Sequence, residues 1–194
     1  VKIDDNIYIW TGTATQYKVN LLRKFFEQYK QDPSDLVFFL DDSKGIGSDE
    51  EIERYKIRRK YWESVLPSLQ EATGTFLNIS PSKNNSIMGA TARSGVYLCC
   101  VANYDSARVE IFIDQGDYQK NRAIYKRLEQ NRDAIEAAYG KSLNWVCQDD
   151  VRACKVYDEI KEVSIKNEED WPVMSAFHIQ RAKALLVATK QFLA

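Results

Sequence analysis

Two strand-length apolar runs lie close together between Val96 and Ile113. Val96-Tyr97-Leu98-Cys99-Cys100-Val101 and Arg108-Val109-Glu110-Ile111-Phe112-Ile113 are joined through Asn103-Tyr104-Asp105-Ser106. Runs rich in β-branched and aromatic residues around an Asn/Asp/Ser turn form an antiparallel hairpin. The first run is apolar at nearly every position, which fits a strand interior to a sheet. The second alternates: Val109, Ile111 and Ile113 point one way, and Arg108, Glu110 and Phe112 the other, with Glu110 facing solvent. A lone hairpin is not stable in water. The flanking chain must therefore supply further strands and the helices that cover them.

After residue 54, Ile57, Tyr61, Val65 and Leu69 recur four apart and share one face of a helix. Pro67 kinks it or ends its first part, and Thr73-Gly74 closes it. Phe76 to Ile79 reads as a short strand. Ser80 to Gly95 reads as a polar loop long enough to carry function. Beyond the hairpin, Asp117 caps a long helix that ends at Gly140. Leu143 to Cys147 is a strand, Asp149-Asp150 its turn, and Ala153 to Tyr157 the return strand. Asp170-Trp171-Pro172 opens a last helix that runs to about Phe192. The order over residues 53–194 is α-β-β-β-α-β-β-α. That is an α+β fold with a mostly antiparallel sheet of about five strands.

Residues 1–52 read as a β-α-β leader: a strand at 6–10, a turn at 11–13, a helix from Thr15 and a strand over Leu36-Val37-Phe38-Phe39-Leu40. An acidic linker follows. Residues 41–53 hold six acids against Lys44, and residues 54–60 hold five bases and no acid. The chain opens on Val rather than Met, which fits a trimmed chain, an excised piece or an unusual start, and the leader reads as the tail of an upstream domain in the first two cases.

Composition narrows the function. With 44% hydrophobic residues and 11 Tyr, 8 Phe and 4 Trp, the 194 residues can bury a sizeable core, which excludes wholesale disorder. A net charge of −1 excludes a general coat for polyanions but not a local patch. No apolar run approaches the ~18 residues that span a bilayer, and no signal peptide is visible, so a cytoplasmic protein is expected. One His and four Cys leave little for metal or triad chemistry, and no metal site or cofactor is assigned. The cysteines read as buried thiols of a reducing compartment. Cys99 and Cys100 point to opposite faces of a strand, while Cys147 and Cys154, flanking a turn, have a disulfide or metal as the lesser reading. His178, one turn from Met174, reads as a structural histidine, and Gly45-Ile46-Gly47 as linker.

Three stretches are distinctive beyond their periodicity. They are Tyr61-Trp62-Glu63; Ser94 to Leu98 leading into Ala107 to Asp114; and Ile135-Glu136-Ala137-Ala138-Tyr139-Gly140 followed by Leu143-Asn144-Trp145. Together with Glu169-Asp170-Trp171-Pro172 they resemble the prokaryotic domain-of-unknown-function family 4268 over about residues 56–194. The resemblance implies a C-terminal domain of a longer protein, some with nuclease or other DNA-metabolism domains upstream. It brings no catalytic residue.

The element order also resembles the core of PD-(D/E)-x-K nucleases, a restriction-endonuclease-like topology. Two acids there hold a divalent metal and a lysine assists water. Asp105 and Glu110 are the candidate acids here, but the lysine position is Phe112 and Asp105 falls in the turn. The stronger feature is the basic run Arg54, Lys56, Arg58, Arg59 and Lys60, with Tyr55, Tyr61 and Trp62 nearby for stacking. Bases at a helix start oppose the macrodipole, which points to another use. Lys83 and Arg93 in the 80–95 loop extend the patch if the fold gathers them, as do Arg122, Lys126 and Arg127.

The preferred reading is a non-catalytic accessory domain that contacts DNA or RNA, or an upstream or separate protein domain, through the basic helix and the 80–95 loop. One alternative is a divergent metal-dependent nuclease, which alone would need a divalent metal. The other is a protein-protein interaction module using surface aromatics such as Tyr104, Trp62 or Trp171.

Overall fold

The structure is a computed structural model that describes residues 2–4, 7–8 and 49–193. The chain divides into two compact units, Val1–Ile52 and Glu53–Ala194. In the first, β1 (Lys2–Asp4) pairs antiparallel with β2 (Ile7–Tyr8). The turn expected at 11–13, the helix from Thr15, the strand at 36–40 and the linker over 41–48 lie outside the described residues.

The second unit follows the expected order. Helix α1 (Asp49–Thr73) begins within the stretch expected to be linker, five residues before the first base of the run. The bases therefore sit in its second and third turns, and the helix-dipole penalty does not arise. Pro67 lies inside α1 without ending it. Then come β3 (Ser86–Ala90), β4 (Val96–Ala102), β5 (Ser106–Ile113), α2 (Tyr118–Glu129), α3 (Arg132–Tyr139), β6 (Asn144–Val146), β7 (Cys154–Lys161), a single 3₁₀ turn (Glu168–Asp170) and α4 (Trp171–Leu193).

The five strands form one antiparallel sheet in the order β3-β4-β5-β7-β6. The register sets Leu98 against Ile111 and Ile111 against Val156, so Val109, Ile111 and Ile113 share the face that packs into the core. Tyr61, Val65 and Leu69 of α1 and Met174, Ala182 and Leu185 of α4 are buried in that same core. Arg108, Glu110 and Phe112 take the other face, as the alternation requires.

Two strand assignments change. Residues 76–79 form a turn, not a strand, and Phe76 there adopts φ 63°. The strand lies ten residues later, inside the expected loop, as β3. Gly89 in its middle obscures it, because glycine weakens strand character. The glycine is required there: a Cβ would come within 2.6 Å of Thr75 Oγ1 and 3.0 Å of the buried Phe76 ring. The long helix from Asp117 to Gly140 is broken at Gln130-Asn131 into α2 and α3. Its ends stand as expected: Asp117 accepts from the Lys120 amide at 2.8 Å, and Gly140 closes α3 at φ 92°.

The cysteines divide. Cys99 and Cys100 are buried thiols on opposite faces, and burial pushes both well above the usual thiol range. Cys147 and Cys154 are joined in a disulfide, against the expectation of free thiols. They follow β6 and open β7, and the pairing of Val146 with Lys155 sets them facing across the hairpin. Closing a loop this short stabilises by about 2 kcal/mol through the unfolded chain. Cys147→Ala, or reduction of the wild type, is expected to lower the denaturant midpoint by that equivalent. Identical midpoints with and without reductant would count against the cross-link.

Candidate functional site

One end of the sheet gathers four segments far apart in sequence. Trp62 Nε1 of α1 donates to the Asn84 carbonyl at 2.9 Å and fixes the 80–85 loop against the helix. Asn85 Nδ2 donates to Asn103 Oδ1 at 3.0 Å, and the Ala102 amide to the Asn85 carbonyl at 2.8 Å, tying that loop to the β4–β5 turn. The turn is closed by the Asn103 amide on the Ser106 carbonyl at 2.9 Å. The loop after β7 is then hung from it: the Ile165 amide donates to Asn103 O at 2.9 Å and the Glu162 amide to Asp105 O at 3.0 Å.

These fastenings bring cations and tyrosines together in one strip. Arg54 lies over the Tyr55 ring at 5.2 Å and Lys83 over the same ring at 4.9 Å. Arg58 Nη1 donates to the Lys83 carbonyl at 3.5 Å, and its guanidinium lies 5.8 Å from the Tyr104 ring centre. Lys166 Nζ stands 4.5 Å from that ring. The strip therefore runs Arg54, Tyr55, Lys83, Arg58, Tyr104, Lys166.

The expected basic run splits. Lys56 pairs with Glu53 at 4.0 Å, Arg59 with Glu63 at 3.2 Å and Lys60 with Glu168 at 2.7 Å. Lys60 also lies 5.5 Å from the Trp171 ring. Arg58, Lys83 and Lys166 have no ion pair within 4.0 Å among the described residues. Arg93 belongs to the β3–β4 connection, at the opposite end of β4 from Tyr104, and does not join. Arg122 also lies elsewhere, against the Gln148 carbonyl, the Tyr118 ring and Asp149. Lys166 was missed in the sequence because residues 149–170 carry eight acids against four bases, and a single lysine there gives no local signal.

The aromatics divide as sharply. Tyr61 and Trp62 are 0% exposed and Trp171 only 9%, so none is a stacking or docking surface. Tyr104, at 41%, is the one aromatic ring among the described residues that the fold leaves exposed.

The candidate nuclease acids are not brought together. Asp105 is exposed in the turn, and Glu110 is five residues further along β5, about 16 Å at strand rise. Glu110 does not face solvent. It is 6% exposed, with Arg108 Nε 2.9 Å from its carboxylate. Among the described residues no three His, Cys, Asp or Glu side chains group as metal ligands.

Two buried polar clusters hold partners that the sequence does not reveal, one of them around His178, which is structural as expected. His178 on α4 holds Tyr61 of α1 through Nδ1 at 2.7 Å and the Val101 carbonyl through Nε2 at 3.1 Å. A carbonyl only accepts, so Nε2 carries the proton and Nδ1 accepts from the tyrosine hydroxyl. Asp158 on β7 is 3% exposed. It accepts from the Tyr139 hydroxyl at 2.6 Å and the Glu159 amide at 2.8 Å, with Lys141 Nζ at 2.7 Å and Arg181 Nε at 3.7 Å.

The distinctive sequence stretches prove to be fastenings of this kind. Glu136 accepts from the Leu143 amide at 2.9 Å and Trp145 Nε1 at 2.8 Å, and these bonds hold its carboxyl below the usual range. Arg152 grips Asp114 through Nε at 2.9 Å and Nη2 at 2.5 Å, which lowers that carboxyl too. Trp171 Nε1 donates to the Ile165 carbonyl at 2.8 Å, and the Ser164 amide to Asp170 at 2.8 Å. Such residues tie strand and helix ends to one another. Among the described residues no helix is long and apolar enough to cross a membrane. Comparison with curated proteins and with solved structures finds no match. The family signature described as a domain of unknown function (DUF4268) does match, over residues 57–193, so the chain belongs to that family.

Proposed function

We propose that residues 53–194 form a non-catalytic accessory domain that contacts the phosphates of a nucleic acid through Arg58, Lys83 and Lys166. The observation that carries this reading is that Arg58 and Lys166 flank exposed Tyr104 while Arg58 also reaches the Lys83 carbonyl, three cations from three separate segments with no carboxylate partner within 4.0 Å among the described residues. Cations with no carboxylate partner among the described residues are available to an anion. The reading carries with it a cytoplasmic setting and a larger protein of DNA metabolism or defence. The last of these rests on the resemblance alone.

Binding of the purified chain to labelled DNA and RNA across a salt series tests it. Affinity is expected to fall steeply with salt. Arg58→Ala, Lys83→Ala and Lys166→Ala should each weaken binding and reduce the salt slope by about one. Lys56→Ala and Arg59→Ala, whose charges already answer Glu53 and Glu63, should change it little. No binding at low salt would sink the proposal.

A further inference from the structure

We infer that the strip takes a single-stranded polynucleotide and that Tyr104 stacks on one of its bases. This rests on the phosphate-contact reading of the same surface and adds to it what the ligand must offer besides charge. The Tyr104 ring is 41% exposed and flanked by two cations, Arg58 at 5.8 Å and Lys166 at 4.5 Å, and its hydroxyl makes no hydrogen bond among the described residues. An exposed ring between cations suits a ligand with alternating planar and anionic groups. A nucleic-acid single strand has that alternation: each base offers a π-face and each linkage a negative charge. A duplex stacks its bases inward and offers this end of the sheet only phosphates and groove edges.

The backbone that carries the ring is also held in place. The Asn103 amide closes it on Ser106, Asn85 pins it from the 80–85 loop, and Glu162 and Ile165 bind its carbonyls. A base arriving there meets a turn whose backbone needs no ordering. Tyr55 lies at the other end of the strip, reached through Arg58 and Lys83. Successive cations along that path set the direction in which the strand would run.

The test is fluorescence anisotropy of the full chain with a labelled oligothymidylate of about 12 nucleotides and with a duplex of the same length, within the usual footprint of such surfaces. The single strand is expected to bind at least tenfold more tightly. Tyr104→Ala should weaken single-strand binding by about tenfold, the scale of one lost stacking contact, and leave duplex binding unchanged. Tyr104→Phe, which keeps the ring and loses only an unbonded hydroxyl, should bind within twofold of wild type. Because Tyr104 is exposed, the melting temperature of the alanine variant serves as the folding control. Equal affinity for both ligands, with Tyr104→Ala neutral and Arg58→Ala weakening, would overturn the stacking inference and leave the phosphate reading standing. No binding to either ligand at low salt would remove both.

Discussion

Acidification from pH 6.5 to pH 5 is expected to cost the domain about 2 kcal/mol of stability, and continued acidification to pH 4 about 3 kcal/mol in all. The source is His178, which burial pushes down to about 4. Both ring nitrogens are engaged in the neutral form, by Tyr61 and by the Val101 carbonyl. The titratable groups around it offer no negative charge, since burial pushes Tyr61 and Cys100 up and keeps both neutral. Between the unfolded value near 6.5 and the folded value the unfolded chain binds the proton and the native one does not. Stability thus falls as pH falls through that window and levels off below it.

The histidine is the only one in the chain, so the interval from pH 6.5 to 5 reports on it without a second imidazole. Asp114 and Glu136 have depressed carboxyls. Their contributions are lost only at lower pH, beginning near the ordinary carboxylate range. Urea denaturation at pH 7, 6 and 5 measures the slope. His178→Gln keeps a donor and an acceptor in roughly the same place. It should be less stable at pH 7 but flat down to pH 5. A wild type equally stable at pH 7 and pH 5 would refute the account.

Replacement of Asp158 by alanine should cost about 3 kcal/mol, the lower end for breaking a buried ion pair. The carboxylate joins three elements: Tyr139 from α3, Arg181 from α4, and its own strand β7 through the Glu159 amide, with Lys141 just after α3. Removing it leaves the buried Tyr139 hydroxyl without its acceptor, and that desolvation cost is not recovered. Lys141 and Arg181 are more than a third exposed and can turn to water, which keeps the figure from rising further. For a domain of this size the loss corresponds to a fall in Tm of roughly 10 °C. Tyr139→Phe removes one bond and leaves the carboxylate with its cations, and should cost about 1 kcal/mol. A change below 0.5 kcal/mol for Asp158→Ala, measured by the same denaturation, would show that the cluster is not a fastening.

How far these features were legible in sequence depends on distance along the chain. The hairpin, the Asp117 cap and the Gly140 stop were readable because each is decided within a few residues. So was the buried stripe Ile57, Tyr61, Val65 and Leu69. Strand β3 was not, because Gly89 answers to Phe76 thirteen residues earlier, and local propensity does not register that contact. Glu110 was taken for a solvent-facing residue because alternation gives the face of a side chain but not what covers that face. Among the basic residues, the run at 54–60 was plain as composition. Which members were already neutralised was not, since Lys60 answers to Glu168 more than a hundred residues away.

The sequence by itself determined an α+β domain, an antiparallel sheet with the Val96–Ile113 hairpin at its heart, and family membership. Periodicity, caps and turn residues act over one or two turns of chain. Tertiary structure alone decided that Tyr104 in the polar turn stands between Arg58 and Lys166, that Asp158 has three side-chain partners, and that His178 is buried against Tyr61. Each of these juxtapositions depends on the antiparallel order β3-β4-β5-β7-β6, which brings turns from distant segments to one end of the sheet.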